Sequence, residues 1–237
     1  MQYLDLSQLS AIDTTAFQAQ QPYPWINPER LLTEEGYQRL LDNLPDQTQF
    51  TPSFGNQRAH GQQGHDRFIL EYSDDLPVVQ EWKDFVTELR SPTYQTFLSR
   101  LLGTRAFEVS FHWHYTPRGC SISPHCDAKH KLGSHIFYFN TEQDWDPLWG
   151  GQTLLLDDGG RFPRKSAPQI EDFGKISKSK GIGNCSLLFA RKKKSWHAMR
   201  PLQCPEDRLR KVFIIVINRF GPVERVKRLF GVKAKGY

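Results

Sequence analysis

The sequence predicts a mainly β fold with flanking helices (α+β): an antiparallel sandwich or barrel preceded by a helical region packed on its outside. Two observations carry this. Up to Leu102 the apolar residues recur in blocks at helical spacing, and from Ala106 they fall into short runs separated by Gly, Pro and Asp. A chain of 237 residues fits one elaborated domain of 1–237. The 16 Phe, 8 Tyr and 6 Trp are enough for a sizeable core and exclude a disordered chain. The parts are a helix-rich stretch 1–105, a β core 106–218 and a basic tail 219–237.

In chain order, Asn27 to Leu44 is read as an amphipathic helix, with Leu31, Leu32, Tyr37, Leu40 and Leu41 near helical spacing and Pro45 as its stop. Gly55 to Gly64 is polar and glycine-bearing, an exposed loop, and Phe68 to Leu70 is a short strand. Pro77 to Leu102 is helical, divided by Pro92. Strands follow at Phe107 to Tyr115, Ser134 to Phe139, Gln152 to Leu156, Asn184 to Phe189 and Val212 to Asn218, with short ones at Ser123 to Cys126 and Trp196 to Met199. Gly159 to Gly183, rich in Gly, Lys and Ser, is expected to be a long lid-like loop.

The formal charge is +5, and the stretch from Arg219 to Tyr237 alone carries six Lys/Arg against one Glu. A basic balance built by a tail points to a docking patch, and nucleic acid is the least favoured partner. Cys120, Cys126, Cys185 and Cys204 form no CxxC pair, so neither a zinc knuckle nor a disulfide framework is written here. No apolar run approaches the ~20 residues of a membrane span, and Met1 to Thr15 lacks the charge and apolar pattern of a secretory signal. The expectation is a cytoplasmic protein.

The strongest local chemical signal is Ser123-Pro124-His125-Cys126-Asp127. Residues i and i+2 of a strand share a face, so His125 and Asp127 can reach one ion while Cys126 points away as a small core residue. A second imidazole would complete two nitrogens and one carboxylate with open positions, the donor set of a non-haem Fe(II) site. His197, in Lys194-Ser195-Trp196-His197, is the candidate, on a short segment that can neighbour the first. Alone, the His-x-Asp pair is a weak signal and reads first as a hydrogen-bonded surface pair.

The surrounding text is ordered: Trp113-His114-Tyr115-Thr116-Pro117-Arg118-Gly119 precedes His125; Ile136-Phe137-Tyr138-Phe139-Asn140, Trp145 and Trp149-Gly150-Gly151-Gln152-Thr153-Leu154 follow; Asn184 to Phe189 leads into His197; and Arg208-Leu209-Arg210-Lys211-Val212-Phe213-Ile214-Ile215 closes the series. In this order the sequence resembles the Fe(II)- and 2-oxoglutarate-dependent dioxygenases, in the prolyl-4-hydroxylase-like branch. The match covers about Phe111 to Asn218, under half the chain.

The resemblance implies a double-stranded β-helix (jelly roll), a metal held by His125, Asp127 and His197, and hydroxylation of an unactivated C–H bond with 2-oxoglutarate and dioxygen (O2) consumed and succinate and CO2 released. It implies a cation on the last strand for the far carboxylate of 2-oxoglutarate. A guanidinium binds a carboxylate with two prongs, which favours Arg210. If Arg210 faces inward, so do Val212, Ile214 and Val216; if Lys211 does, so do Phe213, Ile215 and Ile217. Both faces are apolar, so Lys211 stays open and Arg208 is a weaker third. Tyr115 is carried over as a hydrogen-bond donor to the cosubstrate, against its alternative as a core aromatic beside Phe111 and Trp113.

His112 and His114 are expected at polar surface positions, and His130 and His135 on the solvent or substrate side of a loop from Lys129 to Gly133. Trp145 and Trp149 read as packing groups. The run Arg191 to Lys194, with Lys129 and Lys131, makes the mouth of the site basic and fits an acidic or phosphate-bearing substrate, either a prolyl or other peptidyl group or a small molecule. The competing readings are a non-catalytic β-sandwich binding protein with a basic docking tail, and a zinc-dependent hydrolase using the same ligands.

Overall fold

The structure, a computed structural model, describes residues 2–220. Apart from Arg219 and Phe220, the expected basic tail lies outside the described residues. The helical part comprises α1 (Leu6–Ala11), α2 (Thr14–Ala19), α3 (Glu34–Asp42), α4 (Gln80–Leu89) and α5 (Pro92–Leu102). Among them run the short strands β1 (Trp25–Ile26), β2 (Thr51–Ser53) and β3 (Arg67–Glu71). The β part comprises β4 (Phe107–Pro117), β5 (Ile122–Cys126), β6 (Lys131–Tyr138), β7 (Leu154–Asp157), β8 (Lys175–Lys178), β9 (Ser186–Ala190), β10 (Trp196–Met199) and β11 (Leu209–Arg219). Among the described residues no helix is long and apolar enough to cross a membrane.

Two antiparallel sheets form: a large one in the order β1-β9-β6-β11-β4-β3-β2 and a small one in the order β5-β10-β7-β8. Each mixes strands distant in sequence, as expected for a jelly roll. The longest pairing joins β11 to β4 from Leu209↔Pro117 to Arg219↔Phe107.

The outer face of the large sheet takes the helices. Phe111, Trp113 and Tyr115 of β4, Phe137 of β6, and Phe213, Ile215 and Ile217 of β11 join Trp82, Phe85, Leu89, Tyr94 and Leu98 in one apolar cluster. Trp82 is its centre, with ring centroids 4.9 Å from Trp113, 5.0 Å from Phe213 and 5.2 Å from Phe139. Each such side chain, fully buried, contributes ~1.5–3 kcal/mol. Pro92 does divide α4 from α5, since it opens α5 where its missing N–H costs nothing, and Gly103 ends that helix at φ 70°.

The helix expected from Asn27 begins only at Glu34. Ahead of it Arg30 N donates to Asn184 O and Thr33 N to Tyr3 O, so these backbone groups are already committed to other segments, and Thr33 Oγ1 caps α3 by accepting from Gly36 N at 3.0 Å. The expected loop from Lys129 to Gly133 is also corrected: β6 starts at Lys131, whose side chain is buried. The stretch Gly159 to Gly183 holds β8 and packs Phe162, Ile170 and Phe173 on the outer face of the small sheet, against Trp196 and Leu156. That part is a cover for the sheet rather than a lid.

Candidate metal centre

In the small sheet His125 of β5 lies directly opposite His197 of β10, which in turn lies opposite Leu155 of β7. The period of two sends these side chains to the inner face, toward the large sheet. The residues between them, Cys126, Trp196 and Leu156, join the outer cluster, so Cys126 does point away from its neighbours. His125, Asp127 and His197 are all buried, and each offers a ligand atom within 4.8 Å of the others.

Hydrogen bonds orient the rings. His125 Nδ1–H donates to Ser123 O at 2.9 Å and His197 Nδ1–H to Ser195 O at 3.1 Å. With Nδ1 protonated, Nε2 carries the lone pair, the arrangement a metal-binding imidazole needs. Burial lowers the pKa of both rings and holds them neutral. Burial alone would raise the pKa of Asp127, but Lys131, by its charge and its hydrogen bond, outweighs it and keeps the carboxylate ionised. Lys131 Nζ donates to Asp127 Oδ1 at 3.1 Å, whereas Asp127 Oδ2 is buried and without a hydrogen-bond partner. A buried, unpartnered carboxylate oxygen is costly unless a cation meets it. Two neutral imidazoles and this oxygen fit a divalent ion of the Fe(II) or Zn(II) kind.

Opposite this centre lies the inner face of the large sheet. Register assigns Arg210 to that face with Val212, Ile214 and Val216, because Phe213, Ile215 and Ile217 belong to the helix-packed face. Arg210 is 4 % exposed, its Nε donates to Gly151 O at 2.6 Å, and its guanidinium carbon lies 5.4 Å from the centre of the Tyr138 ring. The Tyr138 hydroxyl is 3.0 Å from Thr153 Oγ1 and 2.9 Å from Ser179 Oγ. Gly151 sits at φ 91°, and a Cβ there would stand 3.2 Å from Arg210 Cδ, so glycine is what lets the arginine lie down.

The structure moves several expected residues. Tyr115 lies on the helix side, donating its hydroxyl to Pro45 O at 3.0 Å and stacking on Phe50, so it is not at the inner face. Lys211 faces the same way as Tyr115, its partner in register, and its Nζ lies 3.4 Å from Asp144 Oδ2. Arg208 is outside, 3.6 Å from Asp207. His112 and His114 are not surface residues: β4 is covered on both sides, and its second face, with these two rings, is buried between the sheets. His135 lies fully buried beneath α5, its Nδ1 2.7 Å from the Tyr94 hydroxyl.

Three residues escaped the sequence reading. Tyr138 passed as part of an apolar run. His65 lies with its ring 4.4 Å from that of His125 and its Nε2 3.3 Å from Ser123 Oγ; burial, then Arg58 and Arg67, push its pKa down to about 2, so it is neutral. Arg58, in the polar loop, lowers the pKa of His125 and His197 as well, so its charge reaches the centre. Nothing in the spacing of that loop marks either residue.

The sequence matches no protein-family profile and no curated protein. The fold matches solved structures. A Pseudomonas putida prolyl-4-hydroxylase superposes with TM-score 0.65 over 90 % of this chain and 100 % of its own, at 15 % identity. A Trichoplax adhaerens prolyl hydroxylase, in complex with a peptide fragment of the hypoxia inducible factor oxygen degradation domain, gives 0.59 over 94 % and 93 %, at 14 % identity. The non-heme alpha ketoglutarate dependent carbocyclase SnoK of nogalamycin biosynthesis gives 0.60 over 97 % and 96 %, at 11 % identity. The chain therefore has the jelly-roll fold of prolyl-4-hydroxylase-like dioxygenases.

Proposed function

We propose that this protein is an Fe(II)- and 2-oxoglutarate-dependent dioxygenase that hydroxylates an unactivated C–H bond of a prolyl or other peptidyl group or of a small molecule. The observation that carries this reading is the clustering of buried His125, Asp127 and His197, each with a ligand atom within 4.8 Å of the others, with both imidazoles oriented by backbone carbonyls and Asp127 Oδ2 unpartnered. In it the stretch 106–218 is the catalytic core of a single cytoplasmic domain.

His125, Asp127 and His197 hold the metal. When bound, Fe(II) supplies the oxidation: with O2, 2-oxoglutarate is decarboxylated to succinate and CO2, and one oxygen atom enters the substrate C–H bond. Arg210 supplies the buried cation for the far carboxylate of 2-oxoglutarate; Nε is committed to Gly151 O, so the Nη nitrogens are the donors left for a two-pronged bond. The hydroxyls of Tyr138 and Thr153 give that pocket further donors. Lys131 keeps Asp127 ionised and fixes which of its oxygens is available. The apolar wall of Phe189, Leu155 and Val212 excludes water around the centre. A zinc hydrolase built on the same ligands would leave Arg210, buried at such cost, without a task.

Anaerobic titration of the Fe(II)-loaded protein with 2-oxoglutarate tests this. The expected result is the weak visible charge-transfer band of bidentate chelation in wild type and its absence in His197→Ala. No band in folded, metal-loaded wild type overturns the proposal.

A further inference from the structure

Around the centre the buried charges do not balance. Asp127 is matched by Lys131, and Asp158 by Lys194 at 3.1 Å together with the amide nitrogens of Gly160 and Phe162. Arg67 is bonded to His65 O, and Arg58, Arg164 and Arg191 are left on the exposed side. Each is only partly exposed, and each has a buried Nε without a hydrogen-bond partner. Among the described residues none of the three forms an ion pair. Three separate segments bring them within charge range of Asp127. Arg164, from the stretch after β7, donates through Nη2 to Asp127 O at 2.5 Å. Arg191 follows β9, its backbone N–H held by Leu132 O, and its charge interacts with Arg164 and Asp127. Arg58 comes from the loop 55–64, and its charge is felt at His65, His125 and His197.

The loop that carries Arg58 is anchored at the centre. Ser123 Oγ, two residues before His125, donates to Gln63 O at 3.2 Å, and Gln62 Nε2 donates to Ser166 O at 3.0 Å, close in sequence to Arg164. A cavity of about 520 Å³ opens in this loop, lined by Arg58 with Asn56, Gln57, Gln62 and Gln63 and by Asp66, whose Oδ1 accepts from Gly55 N at 2.9 Å; Arg164 and Arg191 stand outside its lining. Partly desolvated guanidiniums without an ion-pair partner cost stability. An anionic guest would supply that partner.

We propose that the substrate carries a carboxylate or phosphate group and that Arg58, Arg164 and Arg191 bind it at the rim beside Asp127. The guanidinium N–H groups not already engaged can make charge-assisted bonds to an oxyanion. The anion sets the substrate's position, leaving the C–H bond to be presented to the metal from a fixed anchor. This inference deepens the proposed function and rests on it for the word substrate; the anion site itself does not need turnover.

The test uses protein loaded with Mn(II) and 2-oxoglutarate under nitrogen, so that the metal and Arg210 are already engaged. Inorganic phosphate and, separately, glutarate are titrated in by calorimetry at constant ionic strength. Wild type is expected to bind at least one of them saturably, the tighter naming the headgroup. Arg58→Gln and Arg164→Gln should each weaken that binding by about ten-fold or more, the loss of one charged hydrogen bond, while Arg39→Gln, exposed and paired with Glu81 on the helical side, changes nothing. Absence of binding in wild type, or equal binding in all variants, overturns the inference. Mn(II) uptake, followed by electron paramagnetic resonance in the same samples, reports on the metal centre separately. Uptake without anion binding removes the anion site and leaves the proposed function standing; failure of uptake removes the proposed function, and the same titration of metal-free protein still decides on the arginines.

Discussion

His125 and His197 face each other across neighbouring antiparallel strands with ring centroids 4.2 Å apart, and each donates Nδ1–H to the carbonyl of the residue two places before it. The same local bond is made twice, once per strand. The local backbone thus sets the orientation of both rings and leaves each Nε2 as the nitrogen that carries the lone pair.

Asp127 and Lys131 form a pair in which both side chains are under a tenth exposed. Asp127→Asn would leave a buried ammonium without its counter-ion, a loss of ~3–5 kcal/mol. Asp127→Asn is therefore expected to weaken Mn(II) binding and to lower stability in urea. Asp127→Asn with Lys131→Met should regain the stability but not the metal. A double variant as unstable as the single one would show that the pair is not the cause.

Gly151→Ala would introduce a side chain at positive φ, costing ~1–2 kcal/mol, and would press on Arg210 Cδ. The expected phenotype is that of Arg210→Ala: Mn(II) affinity unchanged, and 2-oxoglutarate affinity down by ~10–100-fold for one lost charge-assisted contact. Lys211→Ala, on the other face, should leave 2-oxoglutarate affinity within about two-fold, since its exposed-rim ion pair contributes little. Anaerobic titration of the charge-transfer band measures all three.

Tyr115→Phe removes the hydroxyl that donates to Pro45 O. A loss of ~1 kcal/mol in unfolding free energy is expected for one buried hydrogen bond. The 2-oxoglutarate titration should be unchanged; a weakened one would place the hydroxyl at the site after all.

His135 provides a pH test. Burial pushes its pKa from 6.5 down to about 3 in the folded state. Between those values the unfolded chain binds the proton and the folded one does not, so the fold is destabilised as pH falls. The contribution of neutral His135 is fully present above pH 6.5 and is lost toward about 3, by up to ~1.4 kcal/mol per pH unit. His112, pushed down to about 4 by burial, then Lys131 and Arg67, acts in the same direction. Unfolding free energy measured against pH should fall less steeply below 6.5 in His135→Phe with Tyr94→Phe than in wild type.

The clustering of His125, Asp127 and His197 was the most legible part of the sequence, because His-x-Asp encodes a shared strand face in two residues. The strands of the β part were legible for the same reason, from short apolar runs between turn residues. What failed was the choice of face on β4. His112 and His114 alternate there with Phe111, Trp113 and Tyr115, and a strand buried on both sides has no polar face to identify; the aromatic face went to the helices and the histidine face inward. The same ambiguity on β11 left Arg210 and Lys211 open until pairing with β4 fixed the register. Helices α1 and α2, six residues each, are too short to show a period; each is held by an aspartate cap, Asp5 or Asp13. Arg58 and His65 reach the centre through tertiary contacts of a loop, which local sequence does not encode.

The division of labour between the sheets has a mechanical side. His125, Asp127 and His197 belong to β5, its end and β10, all of the small sheet, whereas Arg210 and Tyr138 belong to β11 and β6 of the large one. The small sheet has four short strands, and among the described residues its outer face is covered by the stretch after β7 rather than by the α-helices that bury Trp82. A ligand that grips both sides acts as a rivet between the two leaves of the sandwich, and its binding energy adds to their cohesion as RT ln(1 + [L]/Kd). The amide protons of β5 and β10, the leaf held less firmly without it, are where such a rivet would slow exchange with solvent the most.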